Sequence, residues 1–186
     1  MIGFARWVEG NGLGIRQLAG LNRLERLRPR AVAEKLSIVV CFPEDIEGLS
    51  SGSLAQLEAV DPAGWSGASA TLPNGRLAVI LNPRDSVTRH NITLMEEISH
   101  DYLGHRPSLV THGPGGLALR NFNRSCEKQA YGVAAAAILP IGRLELLMRK
   151  GLSVADIAAH DEVSPRLVNY RVNVTGVALM AAPAPR

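Results

Sequence analysis

The chain of 186 residues has the length of one globular domain, and it can bury enough surface to fold without disulfides. Hydrophobic residues make up 46% and charged residues 20%, which excludes a disordered chain. No apolar run reaches the roughly 20 residues of a membrane helix, the N-terminus lacks a signal-peptide core, and Cys41 and Cys126 form no disulfide framework. We therefore expect a cytoplasmic protein.

The net charge of +3 is concentrated near the N-terminus, where residues 1–35 carry seven basic and three acidic side chains. We predict a basic helical arm over residues 1–28. Such an arm is either a solvated helix face or a contact surface for nucleic acid or an acidic partner.

The first half of the chain predicts two helices followed by a small sheet. Gly10, Gly12 and Gly14 weaken the first helix. Asn74-Gly75 between two β-rich runs indicates a hairpin, so residues 37–82 predict an antiparallel sheet of about three strands. In chain order, we predict helices over 4–21 and 29–36, a strand over 37–42, a helical turn over 54–60, and strands over 65–71 and 76–81.

The second half predicts helices. Asn123 or Ser125 begins the long helix that Pro140 ends, and its small residues recur at helical spacing, which lets helices pack closely. In chain order, we predict a helix over 87–104, a loop over 106–119, helices over 123–139, 141–150, 154–160 and 165–174, and a disordered tail over 177–186. The fold class is α+β.

The segment most relevant to chemistry is Glu96-Glu97-x-x-His100. Glu96 and His100 lie about one turn apart on one face of a helix. This is the spacing of the zinc motif H-E-x-x-H, with Glu96 in place of the first histidine. In that motif the two ends bind the metal and the middle glutamate handles the proton of a water. Glu127 begins the next long helix and becomes a third ligand if the two helices pack antiparallel. By itself the motif is also compatible with a solvated surface.

Several further segments agree in order and spacing with one known family. They are EDIEG (44–48), WSGA (65–68), LPNG (72–75), ILNP (80–83), RHNITL (89–94), EEISH (96–100), GH (104–105), EKQA (127–130), and parts of 134–140 and 163–176. In these pieces, over residues 29–176, the chain resembles the ImmA/IrrE metallopeptidases.

This resemblance implies a zincin-like fold, with an active-site helix, a second glutamate-bearing helix and a C-terminal helix-turn-helix-like unit over 152–174. Characterised relatives are intracellular peptidases that cut helix-turn-helix transcriptional repressors in stress responses or mobile elements. By the same resemblance, His100 and Glu127 are expected to bind zinc and Glu97 to act as general base. Glu96 stands where the family usually has its first histidine ligand.

The glutamate at position 96 leaves three interpretations open. A carboxylate can bind Zn²⁺, but two anionic ligands cancel the charge of the metal and acidify its water less. Oxygen ligands also shift the preference toward Mn²⁺. The chain is therefore a weakened zinc peptidase, a peptidase that uses another metal, or a metal-free pseudo-peptidase that binds a protein partner.

Other residues are weaker candidates. His105 lies about 140° around the helix from His100, so we expect it at the helix end, against the last carbonyls. The remaining candidates are His90 (surface, or lining a cleft), His112 (exposed in a loop, or reaching a metal if the loop folds over), Cys126 (small hydrophobe), and Tyr102 and Tyr131 (core, or donors to an oxyanion).

A rival prediction is that residues 152–174 read DNA through Arg166, Asn169 and Arg171. Residues 151–174 contain two arginines and three acidic residues, whereas a DNA-reading unit normally carries a basic surface. We therefore favour a structural or substrate-docking role for this unit and expect no nucleic-acid partner. The oligomeric state stays open.

Overall fold

The computed structural model describes residues 2–48, 50–55, 64–105, 110–112, 118–120 and 123–177, and the fold is α+β, as predicted. The elements are α1 Ile2–Leu18, α2 Pro29–Lys35, β1 Val39–Cys41, α3 Ser51–Ala55, β2 Gly67–Thr71, β3 Leu77–Leu81, α4 Val87–Tyr102, β4 Val110–His112, β5 Ala118–Arg120, α5 Arg124–Ile138, α6 Ile141–Arg149, α7 Val154–Asp161 and α8 Pro165–Thr175. The predicted helical turn over 54–60 lies outside the described residues beyond Ala55, and so does the predicted tail beyond Val177.

The main sheet has the strand order β1-β3-β2. The predicted hairpin is confirmed: β2 pairs antiparallel with β3, and Gly75 N donates to Leu72 O at 2.8 Å. Gly75 adopts φ +80°, which glycine tolerates without strain. The prediction of a wholly antiparallel sheet is wrong, because β1 pairs parallel with β3. The connection through residues 42–76 is long enough to return the chain to the same end of the sheet.

A second, two-stranded sheet corrects the predicted loop over 106–119. Within that range and just beyond it, β4 and β5 pair antiparallel, with Val110 opposite Arg120. Strands of three residues are too short to show an alternating pattern, so the Gly/Pro-rich composition hid them. The backbone of His112 lies in β4, and the idea that its side chain reaches a metal lies outside what the structure describes.

The predicted helix starts are confirmed at four caps. Ser86 begins α4, Ser153 begins α7 and Ser164 begins α8. At α5 the cap is Asn123 rather than Ser125, since Asn123 Oδ1 accepts from the Ser125 and Cys126 amides at 3.0 and 3.3 Å. A side-chain oxygen that satisfies a free amide fixes each start locally.

The core lies around α5, which packs against both α1 and α4. Its residues from Gly132 to Ile138 are buried. A Cβ added at Gly12 of α1 would lie 2.7 Å from Ala137 N and 2.8 Å from Ala136 Cβ, so the two backbones are in close contact. The glycines that weaken α1 as an isolated helix therefore include one that permits this packing.

Two alanine substitutions in α1 test this contact. Gly10 has no neighbour within 4 Å of an added Cβ, so Gly10→Ala is a matched control for Gly12→Ala. Both gain the same helix propensity, so the difference between them isolates the overpacking penalty. We expect Gly12→Ala to be less stable than Gly10→Ala by about 1–3 kcal/mol. Urea denaturation measures this, and equal stabilities would contradict the close contact.

The N-terminal segment is anchored by a buried arginine. Arg16 is fully buried, and its guanidinium donates to the carbonyl oxygens of Ala137 at 2.6 Å and Asn22 at 2.7 Å, and also to that of Glu25. Burial and the nearby Arg143 lower the pKa of Arg16 to about 10. Arg16 therefore does not lie on a solvated face of the predicted basic arm. The boundary of that arm at residue 28 stays a prediction.

A second buried arginine bears on the DNA-reading hypothesis. Arg171 is 0% exposed and pairs with Glu9 of α1, so it does not face solvent where a nucleic acid would lie. Arg166 and Asn169 are exposed.

Among the described helices, no single one is long and apolar enough to cross a membrane. Helices α5 and α6, which are bent by 46° relative to each other, reach that length and composition only as a pair.

Candidate active site

The packing of α4 on α5 brings the candidate residues together. Glu96, Glu97 and His100 lie in the last two turns of α4, and Glu127 lies in the first turn of α5. His100 Nε2 is 3.4 Å from Glu127 Oε2. The expected approach of Glu127 to the motif helix is thus present.

This pair matches two ligands of one metal ion. Ligands that lie about 2.0–2.2 Å from a tetrahedral zinc ion are separated from each other by about 3.3–3.6 Å. Within the described residues, however, no group of three or more His, Cys, Asp or Glu side chains is arranged to hold a metal. His100 and Glu127 fit a divalent cation, whereas Glu96 does not complete a three-residue set in this arrangement.

Glu96 experiences an environment that disfavours its negative charge. Its pKa rises from 4.5 to about 7, first because it is buried and then because of the nearby carboxylates of Glu97 and Glu127; Arg89 acts in the opposite direction. A proton on Glu96 or a nearby cation relieves this repulsion. The chemistry of these side chains therefore suits a cation, although the described residues do not arrange three of them as a metal set.

This raised pKa predicts how the metal-free protein responds to pH. The folded state holds the Glu96 proton more tightly than the unfolded chain, so stability is lost as the pH rises from about 4.5 to about 7. We expect Glu96→Gln to stabilise the metal-free protein at pH 8 by on the order of 3 kcal/mol and to have little effect at pH 4. Urea unfolding with a chelator, with the exposed Glu47→Gln as control, measures this; equal effects at both pH values would contradict it.

Glu97 is held by a residue that sequence reasoning missed. Ser69 in β2 donates its hydroxyl to Glu97 Oε2 at 2.5 Å. One carboxylate oxygen is thereby fixed and the other is left for a second partner. Only the tertiary structure shows this contact, because it joins a strand and a helix that are 28 positions apart.

The prediction that His105 lies on another face of the helix from His100 is wrong, because the two rings are in contact. The two Nδ1 atoms are 3.0 Å apart, and His105 Nε2 is 3.0 Å from Gln129 Oε1. The helix ends in a Schellman motif: the His105 amide bonds His100 O at 2.9 Å, and Gly104 adopts φ +66°. The chain therefore changes direction after the last turn of α4. The separation of about 140° between His100 and His105 assumed a helix that continues through residue 105, so it does not apply. Gly104 was the sequence signal for this change of direction.

The contacts suit the tautomer that a metal ligand needs. If His105 Nε2 donates to Gln129 Oε1, the neutral His105 ring accepts at Nδ1 from His100 Nδ1. His100 Nε2 then has a lone pair for a cation held between it and Glu127.

The remaining candidates from the sequence lie outside the His100–Glu127 pair, and their contacts are as follows. His90 Nε2 lies 2.6 Å from Asn82 O and its ring contacts Phe42, so it is not a free surface residue. Tyr102 is 38% exposed, and Cys126 is partly buried. Tyr131 packs edge-on against the Tyr170 ring at 5.0 Å. Burial and then the nearby Glu96 raise the pKa of Tyr131, so its phenol keeps its proton at neutral pH.

The fold and site are those of a metallopeptidase-like domain. A small mixed sheet lies with a helix that has the E-E-x-x-H spacing, and a second helix supplies Glu127. The chain belongs to the IrrE N-terminal-like domain family (Peptidase_M78), whose family model matches residues 33–173. This family implies a metal cofactor. No curated protein and no solved structure matches the chain.

Proposed function

We propose that the protein is a metal-dependent endopeptidase that acts on an intracellular regulatory protein, namely a helix-turn-helix transcriptional repressor. The observation that carries the proposal is the 3.4 Å approach of His100 Nε2 to Glu127 Oε2, one helical turn from Glu97. Membership of the peptidase family supports the reaction class. The repressor substrate rests on the resemblance described above.

Each site residue has a distinct role in this proposal. His100 and Glu127 would hold Zn²⁺, and Glu96 would become the third ligand once its carboxylate moved toward them. Mn²⁺ also suits a set with two carboxylates. When bound, the metal polarises the scissile carbonyl and acidifies a water. Glu97 takes the proton of the attacking water on the oxygen that Ser69 leaves free, and then delivers it to the leaving amine.

The edge of the main sheet offers a place for the substrate backbone. Within the described residues β2 pairs only with β3, so its other edge, next to Ser69, is available. An extended peptide that adds to this edge gains backbone hydrogen bonds and passes beside Glu97. A flexible loop or linker in a repressor satisfies this requirement, whereas a folded helix does not.

Elemental analysis of the purified, untagged protein tests the metal site. We expect about one equivalent of zinc or manganese, lost in His100→Ala and Glu127→Ala and kept in the control Glu47→Ala. Absence of metal after reconstitution would overturn the proposed function.

The His105→Leu variant removes the side chain that contacts His100 Nδ1. We expect it to weaken metal binding by about 10–100-fold in a competition titration.

The pseudo-peptidase remains a second candidate because no three-residue metal set is present among the described residues. Under this alternative the domain binds its protein partner without cutting it. Glu96→His then creates metal binding that the wild type lacks. If the wild type already binds one equivalent, this alternative is excluded.

A further inference from the structure

A cleft of about 460 Å³ lies between the first half of α4, α5 and α8. Its apolar wall includes Ile92 and Leu167, which are nearly fully buried. Its polar lining includes Arg89, Arg166, Tyr131 and Tyr170. This combination of two guanidinium groups with aromatic rings is a chemistry suited to an anion on an organic side chain.

The two arginines are not neutralised equally. Arg166 is exposed and makes no hydrogen bond or ion pair with any described residue. Arg89 bonds Ser66 Oγ at 2.9 Å, and its distance to Asp85 Oδ2 is 3.9 Å, so that ion pair is loose. Both arginines also act electrostatically on Tyr131. Asp85 and, at longer range, Glu96 partly balance Arg89, whereas Arg166 has no counter-charge among the described residues.

The cleft lies beside the candidate active site along α4 and α5. Arg89, Ile92, Glu96 and His100 follow at helical spacing along α4, and Tyr131 lies one turn after Glu127 in α5. On the sheet side, Ser69 contacts Glu97 and Ser66 contacts Arg89. Ser66 directly precedes β2, so the two serines are three residues apart along the chain, about 10 Å if the chain is extended.

We propose that this cleft binds the carboxylate side chain of an aspartate or glutamate in the substrate polypeptide, about three residues from the peptide bond that faces Glu97. The proposal rests on the proposed function for the identity of the ligand as a substrate. An internal acidic residue fits better than a C-terminal carboxylate, because an endopeptidase holds chain on both sides of the cut bond. Its charge is bound by Arg166 and Arg89, and the Tyr131 hydroxyl donates to it.

Three short peptides test the site without requiring catalysis. The probes are acetyl-GGEGG-amide, the same peptide with glutamine in place of glutamate, and acetyl-GGGGG with a free C-terminal carboxylate. The readout is the Nε–H signals of ¹⁵N-arginine-labelled protein by NMR. We expect the glutamate peptide to shift the Arg89 and Arg166 signals, the glutamine peptide to have at least tenfold weaker effects, and the free carboxylate to bind more weakly than the internal one.

Variants make the test specific. Arg166→Gln is expected to lower the affinity for the glutamate peptide at least tenfold, whereas Arg149→Gln, at an exposed side chain outside the cleft, leaves it unchanged. Equal binding of the glutamate and glutamine peptides overturns the proposal, as does an Arg166→Gln variant with unchanged affinity. Tighter binding of the peptide with the free C-terminal carboxylate would show that the cleft binds a chain terminus, and it would contradict the proposal that the cleft binds an internal acidic side chain.

The proposed function and the cleft can fail separately. A protein that binds the glutamate peptide at the cleft but neither holds metal nor cleaves a protein loses the peptidase assignment and retains the acidic-peptide site. A protein that holds metal and cleaves, but is indifferent to the acidic residue, retains the peptidase assignment and loses the site.

Discussion

Replacing Glu97 with glutamine is expected to lower kcat/KM for cleavage of the substrate protein by about 10²–10⁴-fold, because an amide cannot take the proton of the attacking water. Glutamine keeps the size of the side chain and an oxygen that can accept from Ser69 Oγ. Metal content and substrate binding are therefore expected to stay within about twofold of the wild type. Steady-state kinetics and elemental analysis on the same preparations measure both quantities.

Two further variants define the scale of this effect. Ser69→Ala removes the hydrogen bond to Glu97 Oε2 but keeps the carboxylate, so we expect a smaller loss, about tenfold. Glu47→Gln, an exposed acidic residue, serves as control and is expected to cleave like the wild type. Unchanged cleavage by Glu97→Gln would show that this residue is not the general base.

The same variant offers a route to the substrate. A protein that binds but does not cut retains its target, so Glu97→Gln serves as bait for intact repressors. A captured protein qualifies as substrate only if the wild type then cuts it in purified form and Glu97→Gln does not.

Removing Glu9 is expected to have the largest effect on stability. Its carboxylate pairs with Arg171, which is 0% exposed, and accepts from the Ile141 amide at 2.8 Å. Glu9→Ala leaves a buried guanidinium without its anion and the first turn of α6 without an acceptor. Breaking a buried pair in this way costs about 3–5 kcal/mol. Chemical denaturation at neutral pH measures the loss.

A control and a double variant separate the pair from the general cost of mutation. Glu34→Ala, at an exposed position of α2, is expected to change stability by less than about 0.5 kcal/mol. Arg171→Met combined with Glu9→Ala is expected to recover part of the loss, because no buried charge is then left unpaired. If the double variant is as unstable as the sum of the single ones, the pair is not coupled.

Much of the fold was predictable because local chemistry fixes it. The caps at Ser86, Ser153 and Ser164 and the hairpin at Gly75 depend on hydrogen bonds or φ angles within a few residues. The strand direction of β1 was not predictable in this way. Parallel or antiparallel pairing depends on where a long connection passes, and no local pattern records that.

The candidate site shows the same division. The spacing of Glu96, Glu97 and His100 along one helix is a property of the sequence, and Glu127 was suggested by its place at the start of the next long helix. Ser69 and Gln129 carried no signal, since each reaches the site only through contacts between elements that are distant in the chain. His105 was misplaced because a continuing helix was assumed past Gly104.

The sequence alone therefore determined the α+β class, most helix starts and the hairpin, and it supplied candidate site residues, because these follow from periodicity, capping and side-chain type. Only the tertiary structure decided that His100 lies 3.4 Å from Glu127, that the charge of Glu96 is disfavoured, and that Arg16 and Arg171 are buried. Distance, burial and electrostatic environment depend on which elements pack together. That packing, set by the contacts of α5 with α1 and α4, is a property of the whole chain.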